Sequence, residues 1–164
     1  MTELPESLDE TYERILNGIH HKNRKYAHRA LQLLAIESGI KTLEELAEAV
    51  IVDIEQCALN TDDRFLDPHG LLEICTCLIT FQKDSTPQVR LAHYSVQEYL
   101  VSERMKAPFF RASSTAAHAL AAKIFVTYML SLDYELLPTT IDLAKKAFPL
   151  FLWHIHSGNL GYTI

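Results

Sequence analysis

Apolar residues fall into a helical rhythm from the start of the chain. Leu8, Tyr12, Ile15, Leu16 and Ile19 share one face, and Ser7 with Glu10 places a capping-box pattern ahead of them. The spacing predicts a helix over Leu8–Gly18. The polar cluster His20-His21-Lys22-Asn23 breaks that stripe, and a second one follows with Ala27, Ala30, Leu31, Leu34 and Ala35, closing at Ser38-Gly39. Thr42 and Glu45 repeat the capping box before Leu43, Leu46, Ala47 and Val50. From 53 to 68 periodicity disappears while Asp62, Asp63, Asp67 and Pro68 accumulate, so that stretch reads as an exposed connection. Asp67-Pro68 then opens another helix with proline in its favoured first turn, and Leu71, Leu72, Ile74, Cys75 and Leu78 supply its apolar side.

The period then changes from helical to two. Ile79, Thr80 and Phe81 are β-formers, Asp84-Ser85-Thr86-Pro87 is a turn, and Val89, Leu91 and His93 alternate with Arg90 and Ala92, which predicts a β-hairpin ending at His93. Ser95 and Glu98 suggest another capping box, opening a helix with Val96, Tyr99 and Leu100 inward. Helix, helix, helix, hairpin, helix is the order of a winged helix, so the expected class is mainly α: three helices and a β-hairpin wing, with flanking helical segments. Leu46, Leu72, Leu91, Tyr99 and Leu100 are its expected shared core. Beyond Pro108, Ser114 or Thr115 caps a long apolar helix, and a last helix pair surrounds Pro149 between 140 and 157.

Composition narrows the class further. The chain has 164 residues, 48% of them hydrophobic, with only 5 Gly and 6 Pro, which is enough apolar material for one domain's core and excludes a disordered chain. A net charge of −6 opposes binding to phosphate backbones and anionic membranes. No uninterrupted apolar run reaches the ~18–20 residues of a membrane span. Three cysteines and an N-terminus with neither a basic nor an apolar leader region point to a reducing, cytoplasmic setting.

Candidate chemistry is sparse. No glycine starts a phosphate-binding Gly-x4-Gly-Lys-Ser/Thr run, and neither Gly-x-Ser-x-Gly nor His-Glu-x-x-His occurs, so no catalytic residue and no resident cofactor is expected. Cys75-x-Cys77 and His154-x-His156 fit zinc spacing poorly; no metal site is expected, and Cys75 reads as a small buried hydrophobe. A winged helix also raises DNA recognition by its third helix, a winged-helix DNA-binding regulator being the alternative function. Here, however, Asp62, Asp63, Asp67 and Glu73 surround that helix against Arg64 alone, a surface that repels phosphates. His93 is the one candidate ligand-binding residue. Two residues before Ser95 it sits beside a helix N-terminus, where amides and dipole favour a phosphate; a strand-end histidine bonded to a backbone carbonyl is the plain alternative.

Several blocks taken together carry a resemblance: Leu8-Asp9-Glu10-Thr11-Tyr12-Glu13-Arg14-Ile15-Leu16, Thr42-Leu43-Glu44-Glu45-Leu46-Ala47-Glu48-Ala49, Asp67-Pro68 with Leu71-Leu72-Glu73-Ile74-Cys75, and Arg90-Leu91-Ala92-His93-Tyr94-Ser95-Val96-Gln97-Glu98-Tyr99-Leu100. Their order and spacing closely resemble the winged-helix segment of fungal NACHT-type (STAND, NOD-like receptor-like) NTPases, a segment also named for a GPI inositol-deacylase. The match covers roughly 4–105 and continues weakly to about 153.

The resemblance implies a non-catalytic regulatory module in signal transduction. On that reading 1–22 is the terminal helix of the NACHT helical domain, 23–107 the winged helix, and 108–164 the start of a second helical domain. Its partners in cis are a NACHT nucleotide-binding domain and C-terminal ankyrin or other repeats, with no nucleic acid and no membrane. His93 matches the histidine of the family's His-x-Ser-x-x-Glu-Tyr/Phe motif. In related receptors a histidine at this place contacts the terminal phosphate of ADP, which with ATP is bound through the NACHT domain, and holds the closed state.

Overall fold

A computed structural model describes residues 7–36, 38–82 and 87–131. The opening helix, α1 (Leu8–Gly18), starts where expected: Ser7 is extended and its hydroxyl accepts the Glu10 amide at 3.3 Å. Leu16 is fully buried, with Tyr12 and Ile15 packed beside it. His20 and His21 stay exposed around a short 3-10 turn. In α2 (Arg24–Ala35) Ala27, Ala30, Leu31, Leu34 and Ala35 are buried as the spacing requires. The helix ends three residues before Ser38, whose amide bonds back to the Leu33 carbonyl at 3.2 Å, and Gly39 at φ 89 turns the chain in a conformation that favours glycine. The second capping box is complete in α3 (Leu43–Ile51): Thr42 Oγ1 accepts from the Glu45 amide, and Glu45 Oε2 accepts from the Thr42 amide.

The stretch expected to be an exposed connection contains a hairpin. Strand β1 (Val52–Asp53) pairs antiparallel with β2 (Ala58–Leu59), Val52 opposite Leu59. Asp53 Oδ1 closes the turn by accepting from the Glu55 and Gln56 amides at 2.9 and 3.0 Å. Two-residue strands are too short to show alternation, so no pattern announced them. Arg29 of α2 fastens this corner, one guanidinium nitrogen donating to the Val50 and Val52 carbonyls at 2.8 and 2.6 Å. The helix after this hairpin, third of the winged helix, also begins later than expected. Asp67 and Pro68 form the preceding turn, with the His69 amide on Asp67 Oδ1, and α4 spans Gly70–Cys75. That displacement puts Leu71, Cys75 and Leu78 fully inside and leaves Leu72 half-buried.

Strands β3 (Ile79–Gln82) and β4 (Gln88–Leu91) form the wing, with Ile79 opposite Leu91 and Gln82 opposite Gln88. The expected turn at 84–87 falls mostly outside the described residues. Val89 donates to the Lys41 carbonyl at 2.7 Å, which pins the wing to the α2–α3 loop. Helix α5 (Tyr94–Val101) follows, and its N-cap is His93 rather than Ser95. The strand stops at Leu91, so His93 leaves the hairpin and joins the helix.

The chain then makes a 3-10 turn at Pro108–Phe110, and the Ala112 amide returns to the Leu100 carbonyl at 2.8 Å. The last described helix, α6 (Ser114–Leu130), is preceded by Ser113 at its N-cap position, not by Ser114 or Thr115, and packs against α2, α3 and the β1–β2 hairpin. The helices expected around Pro149, and His154-x-His156, lie outside the described residues. Of the expected core, Leu46, Tyr99 and Leu100 are fully buried while Leu72 and Leu91 are half-buried. The architecture is a winged helix, α2-α3-α4 with the β3–β4 wing, flanked by helices. Among the described residues no helix is long and apolar enough to cross a membrane.

Candidate functional site

The wing and α5 meet at His93, and the local bonding there decides what the side chain offers. Its backbone is extended, as an N-cap requires, and its ring does the work usually given to a serine or aspartate: Nδ1 accepts the Ser95 amide at 3.1 Å. An amide only donates, so Nδ1 carries the lone pair and, in the neutral ring, the hydrogen sits on Nε2. The carbonyl-bonded strand-end arrangement is therefore not what the structure has. Nor is the Ser95 amide free for an anion, because the histidine occupies it. What remains for a ligand is the exposed Nε2–H.

Two hydroxyls extend the bonding from the same ring. Ser95 Oγ lies 2.7 Å from His93 Nδ1, and Tyr12 Oη of α1 lies 2.7 Å from Ser95 Oγ. The Tyr12 ring packs on that of Tyr99, with centroids 5.7 Å apart. His93 borders an open cavity of about 640 Å³ between the end of α2, the wing and α5, with Lys41, Arg90, Tyr94 and Gln97 also in its wall. Gln97 braces that wall by donating to the Ala35 carbonyl at 2.7 Å. No carboxylate belongs to the lining among the described residues, so the cavity combines two cationic side chains with an N–H donor. Lys41 and Arg90 escaped the sequence reading. Arg90 was visible as a cation of the wing but not as part of a cavity, and Lys41 belongs to a loop brought to the wing by a backbone bond.

This geometry sits in a chain whose relatives are recognisable. The family described as "GPI inositol-deacylase, winged helix domain" matches residues 12–111. The chain belongs to this family. It is also similar to the "Azaphilone pigments biosynthesis cluster protein L" of Monascus ruber, 38% identical over 157 residues. That alignment takes in 90% of this chain and 33% of the relative, so the chain spans about a third of the relative's length. No solved structure matches. The matched region of this winged-helix family member runs from the middle of α1, through the wing and His93, to the linker before α6.

The other candidates stay apart from this centre. Cys75 is buried, and desolvation pushes its thiol up to about 12, which keeps it protonated and unreactive at neutral pH. Cys77, two residues on, is exposed, so the pair does not converge, and no group of three metal-ligating side chains occurs among the described residues. His118 is exposed, its Nδ1 2.7 Å from the Ser114 carbonyl. Around α4, Lys25 pairs with Asp63 at 2.8 Å and Arg64 with Glu48 at 2.9 Å, so these two cations are engaged by carboxylates.

Proposed function

We propose that this winged helix is the non-catalytic regulatory module of a NACHT-type signalling NTPase, reading the nucleotide state of a neighbouring domain and converting it into opening. The observation that carries the proposal is His93: its Nδ1 is bound at the start of α5, which leaves Nε2–H to donate, and the residue borders a cavity lined by Lys41 and Arg90 with no carboxylate in the lining among the described residues. A terminal phosphate of ADP held by a NACHT domain meets a hydrogen-bond donor and positive potential there, and this favours the closed arrangement. The chain brings no catalytic group, cofactor or metal of its own. Its partners are the NACHT domain and C-terminal repeats in cis, in a cytoplasmic setting compatible with three free thiols.

A ligand shifts an equilibrium only through its differential affinity for the two states. A hydrogen bond to a charged group contributes ~1.5–3 kcal/mol, so losing it from the closed state alone changes the closed-to-open ratio by about ten- to a hundredfold. In a protein carrying this module and a nucleotide-binding domain in cis, His93→Leu is expected to speed ADP release and raise basal assembly by that order. Leucine removes both ring nitrogens, so the α5 cap is lost too, and His93→Asn, which restores a capping oxygen, separates the two effects. Unchanged ADP off-rates in both variants would refute the role.

A further inference from the structure

We propose that Tyr12 is a positioning residue for His93: through Ser95 it holds the histidine in the form that presents Nε2–H, and it thereby makes the seating of α1 an input to the phosphate-reading site. The inference rests on the function proposed for His93 and adds what controls it.

The bond directions follow by elimination. The Ser95 amide must donate to Nδ1, so Nδ1 has no hydrogen to give to Ser95 Oγ, 2.7 Å away. The Ser95 hydroxyl therefore donates to Nδ1. Its hydrogen being committed, Ser95 Oγ accepts from Tyr12 Oη, also at 2.7 Å. The result is a one-way chain, Tyr12 O–H to Ser95 O–H to His93 Nδ1, which leaves the ring hydrogen on Nε2 of a residue that borders the cavity. Without Tyr12 as donor, the Ser95 hydroxyl is free to rotate and to accept from an Nδ1–H ring at the cost of the Ser95 amide bond, so the preference for Nε2–H weakens without being abolished. That alternative tautomer has no Nε2–H to offer a phosphate.

Tyr12 stands on α1, whereas Ser95 and His93 belong to α5 and its cap, so the chain crosses between elements 83 residues apart in sequence. Polar ties between α1 and the segment that follows α5 include the surface ion pairs Asp9–Arg104 at 3.0 Å and Glu13–Lys106 at 4.0 Å, whose basic partners are about two-thirds or more exposed. Such pairs hold weakly. Displacing α1 withdraws the Tyr12 hydroxyl and loosens the histidine, and by reciprocity an anion on Nε2 strengthens the seating of α1. The two hydroxyls of the Tyr12–Tyr99 pair are thereby distinguished. Tyr12 Oη belongs to the chain, while Tyr99 Oη, buried, takes no part in it.

The test is nitrogen-15 NMR of the histidine rings in the 164-residue chain, at a pH where His93 is neutral. The wild-type ring is expected to show Nε2–H predominating. Tyr12→Phe keeps the ring packing and is expected to lower the Nε2–H to Nδ1–H ratio about two- to tenfold, the weight of one net hydrogen bond. Tyr99→Phe is expected to leave the His93 signals in place, and Tyr12→Phe in a Ser95→Ala background to have no further effect. An unchanged ratio in Tyr12→Phe, or an equal shift in Tyr99→Phe, overturns the proposal. Should the ratio respond to Tyr12 while His93→Leu leaves ADP release unchanged in the longer protein, the relay stands and the nucleotide reading falls.

Discussion

Leu100 is 1% exposed, one turn beyond Val96 and next to Tyr99 on α5, and its carbonyl receives the Ala112 amide of the returning linker. Truncating such a side chain removes its transfer free energy and leaves a void that the surrounding helices fill only partly. Leu100→Ala is expected to cost ~2–5 kcal/mol, read as a lower urea midpoint at constant slope. A loss below about half a kcal/mol would show that this face of α5 does not bear on the core. The same arithmetic gives Leu72 and Leu91 less weight than their spacing suggested, because both are half-buried. For Leu72 the reason is phase: α4 starts at Gly70, and its inward row is Leu71, Cys75 and Leu78. Spacing says that apolar residues share a face, but a helix of six residues lacks the length to say which of two adjacent leucines leads it.

Between elements, the most telling joint is the one that carries α6. His28 and Gln32 lie one turn apart on α2, with Gln32 Nε2 2.7 Å from His28 Nε2 and 3.3 Å from the Arg111 carbonyl of the linker. Phe109 and Phe110 pack on the His28 ring at centroid distances of 4.8 and 6.3 Å. Desolvation, and after it the neighbouring Arg29, lowers the His28 pKa below the ordinary 6.5. The folded chain therefore binds this proton less readily than the unfolded chain. The joint's contribution is complete above about pH 6.5 and is lost as pH falls through the folded value. His28→Gln is expected to flatten the fall in urea midpoint between about pH 7.5 and 5.5 relative to wild type, and an undiminished fall would place the titrating group elsewhere.

This joint was invisible in the sequence, since nothing in the spacing of His28 relates it to Phe109. Caps show the same limit more finely. Ser7 and Thr42 cap where the pattern said, because a hydroxyl three residues before a glutamate, ahead of an apolar row, has few other uses. Ser95 and Glu98 have that spacing too, yet the cap moved to His93, since the strand ends at Leu91 and an imidazole nitrogen accepts an amide as a hydroxyl does. Motif order identified His93 as the residue of interest. Its bond to Ser95, the reach of Tyr12 and the approach of Lys41 required the fold.

For the molecule as a whole, the distribution of charge sets what the winged helix attracts. A net charge of −6 is joined by Asp62, Asp63, Asp67 and Glu73 around α4, the helix that a DNA-binding winged helix lays in the major groove. Of the cations beside it, Lys25 and Arg64 are held by Asp63 and Glu48, so freeing them for phosphates means breaking existing pairs. The wing's sequence adds Lys83 and Arg90. Two phosphate contacts correspond to a salt slope near −2, so residual binding to duplex DNA should fall only about tenfold between 50 and 200 mM salt, from an already weak starting point. Specific binders with six or more contacts lose ~10³–10⁵ over the same range. Anisotropy titrations with random and mixed-sequence duplexes are expected to give weak, shallow, sequence-independent curves. A sequence-selective complex persisting near physiological salt would require a cationic recognition surface that α4 lacks, and would transfer the wing and its Arg90 from a nucleotide-sensing cavity to a DNA interface.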